Sequence, residues 1–290
     1  MSNWHRIIRF VAKDGQIYRG EPIISGSSYD VGKDFANGKT IKARVVTGNI
    51  FSDAKVTDEI LEVKELLGPL TSEDVPIVKC VGMNYMKHIQ EGSLPPPPKP
   101  QIFYKPRTSV ADHNEAIAIP KIAQENQCDY EGEFCVVIGK TGKDIKEEDA
   151  LDYVAGYIVG DDVSARIWQY HPDYAGNIPQ WCYSKSFDRY APLGPALVST
   201  RVIKNPHTLQ LQTRINGELR QDANTDDLLF NIQKIIAFLS QGTTLEQGTV
   251  IMTGTPSGVG AVSGRYLKDG DLVEISIEQI GTLSHKIRFI

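Results

Sequence analysis

Long apolar runs are missing from this sequence. None approaches the roughly 20 residues that a membrane-spanning helix needs, so no membrane partner is expected. An excess of basic residues is missing too. The 31 lysines and arginines are outnumbered by 36 acidic residues, for a net charge of -5, which excludes the basic stripe of a nucleic-acid binder. Cysteine is scarce: Cys80, Cys128, Cys135 and Cys182 are the four in the chain, and no two form a C-x-x-C pair. A chain of 290 residues buries a core without covalent staples. The thiols are therefore read as reduced, in a cytoplasmic compartment, and not as disulfides or metal ligands. Met1 to Phe10 lacks an uninterrupted apolar stretch, so it reads as the start of the fold and not as a signal peptide. Internal repeats are lacking, and the run Pro95–Pro98 is the one low-complexity stretch, a stiff surface loop.

What remains is an ordinary globular composition, 41% apolar and 23% charged, patterned mostly as strands. Ile7–Val11 and Gln16–Arg19 flank Asp14-Gly15, a hairpin signal. Leu209, Leu211, Thr213 and Ile215 alternate with polar residues before Asn216-Gly217 turns the chain. Val273, Ile275 and Ile277 alternate in the same way, predicting strands with one wet face. Phe134–Ile138 is apolar throughout, as in a strand covered on both faces. Helical spacing is rare. Ile232, Ile235, Ile236 and Leu239 show it, with Gly242 placed to end the helix, and Glu147–Tyr153 suits another short helix. The expected fold is mixed, β-rich α+β. Gly68-Pro69 and the polar run to Asp74 place a boundary near residue 70, giving a small N-terminal β domain (1–70) and a catalytic domain (71–290).

Chemistry concentrates in a few stretches. In Asp129-Tyr130-Glu131-Gly132-Glu133, strand geometry points Glu131 and Glu133 to one face. Two carboxylates so close repel unless a proton or cation lies between them, and oxygen donors suit Mg²⁺, Mn²⁺ or Ca²⁺. Two exposed glutamates at a strand end would look the same. A second apolar strand, Val154–Val159, ends at Asp161-Asp162, either of which can complete a three-carboxylate site while the other caps the turn. His88 and Glu91, three apart, share a helical face; the pair is a carboxylate-oriented base or a surface contact worth a few tenths of a kcal/mol. Lys185, between aromatics, is a carboxylate clamp or a lysine reaching for solvent. Thr253–Gly260 is a small-residue turn whose amides can approach an anion, or simply a tight turn between strands. It is not a nucleotide loop, because no Gly-Lys-Ser/Thr follows.

Taken in order, these stretches resemble the fumarylacetoacetate hydrolase family, in particular its branch of acylpyruvate hydrolases, oxaloacetate decarboxylases and tautomerases, and hydroxymuconate-type isomerases. The matching pieces are Val81-Gly82-Met83-Asn84-Tyr85 with His88, Phe103-Tyr104-Lys105-Pro106, Glu131-Gly132-Glu133, Asp162–Arg166, Lys185–Asp188 before Pro192-Leu193-Gly194-Pro195, Ile215–Glu218 and Thr253–Gly260. They cover about residues 75 to 286. The resemblance implies a rolled β-sheet catalytic domain and a homodimer. It implies that Glu131, Glu133 and Asp162 hold Mg²⁺ (Mn²⁺ or Ca²⁺ in its place), that His88, Glu91 and Lys185 are catalytic, and that Tyr85, Arg166 and Thr255 meet a small keto-acid. Ile167 stands where relatives often carry an acid, which predicts a loosened Arg166. Tyr170–Pro179 looks particular to this chain.

The activity so implied is Mg²⁺-dependent hydrolysis of a C–C bond in acylpyruvate-like or fumarylacetoacetate-like diketo acids through a stabilised enolate. An oxaloacetate-type tautomerase or decarboxylase is the alternative within the class. A member that binds metal and ligand without turnover is the alternative outside it.

Overall fold

The computed structural model describes residues 3–24 and 29–290. The N-terminal strands are β1 (Arg6–Ala12), β2 (Ile17–Pro22), β3 (Lys42–Thr47) and β4 (Lys55–Leu67). Beyond residue 70 come β5 (Val78–Gly82), β6 (Gln101–Lys105), β7 (Ala116–Ile119), β8 (Gly132–Ile138), β9 (Val154–Asp161) and β10 (Ala191–Ser199). The chain then forms β11 (Gln210–Ile215), β12 (Glu218–Asn224), β13 (Val250–Met252), β14 (Leu272–Ile277) and β15 (Gly281–Phe289). Strands β1, β2, β8, β9, β11 and β14 lie where the sequence pattern predicts strands, whereas the long β4, β10 and β15 are not foreseen from it. Asn216 and Gly217 both adopt positive φ, 51° and 82°, the conformation of a tight hairpin turn, between β11 and β12. Asp14-Gly15 turns β1 into β2 in antiparallel register.

One large mixed sheet runs in the order β2-β3-β4-β1-β10-β9-β8-β13-β5-β6. A five-stranded sheet, β12-β11-β14-β15-β7, packs across its central strands. Every residue of β8 is buried, and its alternation explains why its sequence is apolar throughout. Phe134, Val136 and Ile138 enter the core between the sheets, whereas Cys135 and Val137 enter a second core with Trp4, Leu70 and Val250. The N-terminal strands join the large sheet through the pairing of β1 with β10, Arg6 opposite Val198 and Ile7 opposite Leu197.

Helices are short. Met86–Glu91 is α1, Arg166–Tyr170 is α2, Trp181–Lys185 is α3 and Ile232–Ser240 is α4. The side chain of Asn231 caps α4 by accepting from the amide of Lys234 at 2.9 Å. Gly242, just beyond its end, has φ +67°, so the helix stops where the sequence pattern places its end. Glu147–Tyr153 winds as a tighter 3₁₀ turn and not as an α-helix. The free thiols Cys80, Cys128 and Cys135 are buried and Cys182 is exposed. Among the described residues no helix is long and apolar enough to cross a membrane.

Candidate active site

Sheet register builds the site. Strands β8 and β9 are antiparallel, with Gly132 opposite Asp161. The beginning of one therefore lies beside the end of the other. That places Glu131, immediately before β8, and Glu133 within it next to Asp162, immediately after β9. The amide of Asp162 donates to the carbonyl of Glu131 at 3.0 Å and locks the junction. Carboxylate oxygens of Glu131, Glu133 and Asp162 lie within 4.8 Å of one another, and all three side chains are buried. On the other side of β8, β13 pairs with Met252 opposite Cys135, which carries the following turn to Glu133. Strand β5 lies parallel to β13 and delivers α1 with its histidine to the same place.

Charge is dense at this base. Lys185 Nζ donates to Asp162 Oδ2 at 2.6 Å and to Ser164 Oγ at 2.7 Å, and lies 3.0 Å from Glu131 Oε2. Lys105, fully buried, pairs with the other oxygen of Asp162 and donates to the carbonyl of Val163 at 3.1 Å. Arg166 donates from Nε to Asp129 at 2.8 Å, from Nη1 to Gln169 at 2.8 Å and from Nη2 to Glu131 at 2.6 Å. Asp129 and Gln169 thus hold Arg166 firmly, and the loosening expected from Ile167 does not occur.

These contacts set the ionisation of the group. Burial disfavours the charge of Glu131, but Lys185 and Arg166 outweigh it and hold its carboxyl well below the usual range. Burial likewise opposes the charge of Lys185, and Asp162 and Glu131 more than restore it, so its pKa is raised. Glu133 differs. Burial, then the charges of Asp162 and Glu131, push its carboxyl well above the ordinary range. It accepts the amide of Gly254 at 2.7 Å, and among the described residues no lysine or arginine forms an ion pair with it.

His88 and Glu91 sit together on α1, with Nδ1 3.0 Å from Glu91 Oε2. The amide of Gly258 donates to Glu91 at 3.1 Å. With Nδ1 facing the carboxylate, Nε2 is the ring nitrogen left for other partners. His88 lines a cleft of about 200 Å³ whose base holds Glu131, Glu133, Arg166, Lys185 and Thr255. The hydroxyl of Thr255 is already engaged, donating to the carbonyl of Gly132 at 3.1 Å and accepting from Gln221 at 2.8 Å. Tyr85 lies apart from the other candidates. It is fully buried, its hydroxyl has no partner, and it does not line the cleft. A bridge to Leu228 fixes its backbone at the start of α1.

Several residues at the base carry weight that the sequence pattern did not assign. Asp129 accepts from Arg166 and from the amides of Gly260 and Ala261 at 2.7 and 2.9 Å. Asp161, adjacent to the triad, faces away from it, accepting the amide of Glu131 and meeting His285 Nε2, each at 2.8 Å. Lys105 stood inside a matching stretch without a role. The one hint in the sequence was a lysine at the end of an apolar strand, where a buried cation requires an acid.

Comparison with known proteins gives this arrangement a context. Residues 77–288 match the family model described as fumarylacetoacetate (FAA) hydrolase, C-terminal. A caffeoylpyruvate hydrolase of Neonothopanus nambi is 40% identical over 99% of this chain and 94% of its own length. A mitochondrial oxaloacetate tautomerase of Xenopus laevis is 44% identical over 77% of this chain and 68% of its own. Among solved structures, a fumarylpyruvate hydrolase from Pseudomonas aeruginosa, in complex with Mn²⁺ and pyruvate, superposes with a TM-score of 0.67 at 30% identity, covering 81% of this chain and 93% of that one. The chain belongs to the fumarylacetoacetate hydrolase family and is an enzyme of its hydrolase, tautomerase and isomerase kind.

Proposed function

We propose that this enzyme is a divalent-metal-dependent hydrolase that cleaves a carbon–carbon bond in acylpyruvate-type 2,4-diketo acids. The observation that carries the reading is the pairing of two devices on one cleft: the acidic triad at its base and the His88–Glu91 dyad at its side.

The residues fit a hard cation. Four buried carboxylates (Asp129, Glu131, Glu133, Asp162) face three buried cations (Lys105, Arg166, Lys185), and Glu133 is the acid left without an ion pair. An uncompensated buried carboxylate is costly, and oxygen donors in this number leave positions for water and substrate around Mg²⁺ or Mn²⁺. Glu131, Glu133 and Asp162 would hold the ion. When bound it would supply Lewis-acid stabilisation of negative charge developing on the keto-acid.

The side chains account for the remaining steps. Lys185 fixes Glu131 and Asp162 in place and adds positive charge beside the substrate's carboxylate end. Glu91, anchored by the amide of Gly258, orients His88 so that Nε2 takes a proton from water. The hydroxide so formed adds to the distal carbonyl carbon. The bond from that carbon to the neighbouring methylene then breaks, and its electron pair passes into the pyruvate enolate. A proton returned to the enolate completes pyruvate and a carboxylic acid. Without activated water, the same charge stabilisation serves tautomerisation or decarboxylation of oxaloacetate. The similarity to an oxaloacetate tautomerase keeps that second reading in view.

The test is turnover of purified protein with Mg²⁺ on an acylpyruvate and on oxaloacetate, following enol absorbance and identifying products. Stoichiometric pyruvate and carboxylic acid, lost on chelation, is the expected result. Conversion of oxaloacetate with no acylpyruvate cleavage would favour the second reading instead.

A further inference from the structure

The lining of the cleft is chemically divided. Its cationic side chains lie at the base, and each is already committed. Arg166 directs Nε, Nη1 and Nη2 at Asp129, Gln169 and Glu131. Lys185 directs its three protons at Asp162, Ser164 and Glu131. Among the described residues no further lysine or arginine lines the cleft. Most of the remaining wall is apolar: Met83, Leu94, Phe103, Trp181, Val259 and Val262, with His88 and Tyr170 among its polar members.

That wall is built, not incidental. A Cβ on Gly82 would lie 2.2 Å from the Trp181 ring, so the glycine lets the indole press against the end of β5. Phe103 meets Trp181 edge to face at 5.5 Å. Lys185 Nζ sits 5.1 Å from the Phe103 ring centroid, so this ring marks the border between the charged base and the apolar wall. Leu94 and Val262 are each 53% exposed. Large apolar side chains left half in water beside a cleft are what an apolar ligand arm would cover.

We propose that this wall is the subsite for the substrate's distal acyl group, and that the preferred substrates carry one carboxylate and an apolar, aryl-sized or alkyl arm instead of a second carboxylate. The proposal rests on the reading of the base as the keto-acid end. A distal carboxylate at the wall would give up part of its hydration and meet no lysine or arginine, an unfavourable exchange. An aryl arm would cover Leu94 and Val262 and find aromatic edges at Trp181 and Phe103.

Binding can be measured without turnover in the His88→Ala protein with saturating Mg²⁺, by quenching of tryptophan fluorescence confirmed by calorimetry. The probes are benzoylpyruvate and fumarylpyruvate, which share the pyruvyl end and differ in the arm. Benzoylpyruvate is expected to bind at least tenfold more tightly. Adding Leu94→Arg or Val262→Arg, each at a half-exposed position, should narrow that ratio at least tenfold by favouring fumarylpyruvate. Equal or tighter binding of fumarylpyruvate to the His88→Ala protein would overturn the subsite, as would a ratio unmoved by both arginine variants. Turnover by the unmodified enzyme is read separately. If neither acid is cleaved while the binding preference stands, the subsite is supported and the hydrolase reading fails.

Discussion

The base of the cleft and its rim are opposite kinds of surface a few side chains apart. At the base, acids and cations are buried and almost every polar atom has a named partner. Removing one member strands another in a dry environment, where an unpaired charge is strongly unfavourable. At the rim, Leu94 and Val262 are half in solvent, and the protein loses little if either changes. The base therefore determines which chemistry is done, and the rim determines on what. A site organised in this way can change substrate without re-engineering its charge network.

The contrast can be broken most severely at Glu133. Glu133→Gln keeps an acceptor for the Gly254 amide but removes the one acid of the triad with no lysine or arginine partner among the described residues, the group a cation would draw into its ionised form. Loss of about 5 kcal/mol of charge stabilisation, roughly 10⁴-fold in kcat, is expected, together with loss of Mg²⁺ binding by calorimetry. His88→Ala comes next. Acylpyruvate turnover should fall about 10³-fold for want of the base, with substrate binding changed far less and oxaloacetate decarboxylation spared by comparison. Third is Arg166→Met, which leaves Asp129 and Glu131 without their shared cation. Urea unfolding should show a destabilisation of about 3–5 kcal/mol.

The fourth test sharpens the distinction between compensated and uncompensated burial. His113 is buried, its Nε2 has no partner, and burial followed by the neighbouring His285 lowers its pKa to about 3. The fold therefore favours the neutral ring. Its contribution is complete above the unfolded value near 6.5 and is lost as pH falls towards 3, a matter of a few kcal/mol. Thermal melts between pH 3 and 7 should steepen in this window, and His113→Gln should flatten them. The smallest effect belongs to the rim. Leu94→Ala should leave kcat within about threefold, raise KM a few-fold for aryl substrates, and alter stability by no more than about 0.5 kcal/mol.

Much of this was legible in the residues because it is local. Strand geometry put Glu131 and Glu133 on one side, continuous apolar runs put β8 and β9 in the right places, and helical spacing joined His88 to Glu91. What was not legible depends on distant register. The junction of β1 with β10 brings together residues about 190 positions apart, and no local pattern encodes it. The pairing of Arg166 with Asp129 and Glu131, 37 and 35 positions away, was missed for the same reason, while Gln169, three residues on in α2, was within local reach. Asp129 precedes the strand pattern and Gln169 follows it, so the acid sought at position 167 is supplied from elsewhere. Tyr85 misled in the opposite direction. Its neighbours belong to the site, but the bridge to Leu228 holds its backbone where the ring is buried. The small-residue turn after β13 was expected to receive an anion and does so, though the anions it holds are the protein's own.

That turn carries a consequence for how the enzyme can be altered. Its amides grip three separate functional parts: Gly254 holds Glu133, Gly258 holds Glu91, and Gly260 with Ala261 holds Asp129. One stretch of backbone is thus the common datum from which the triad, the histidine's partner and the arginine anchor are all measured. Gly258 has φ +103°, and a Cβ there would stand 2.0 Å from the carbonyl oxygen of Arg220, so the segment has little slack. A displacement here would mis-set three devices at once, and defects that look unrelated in assay would share a single origin.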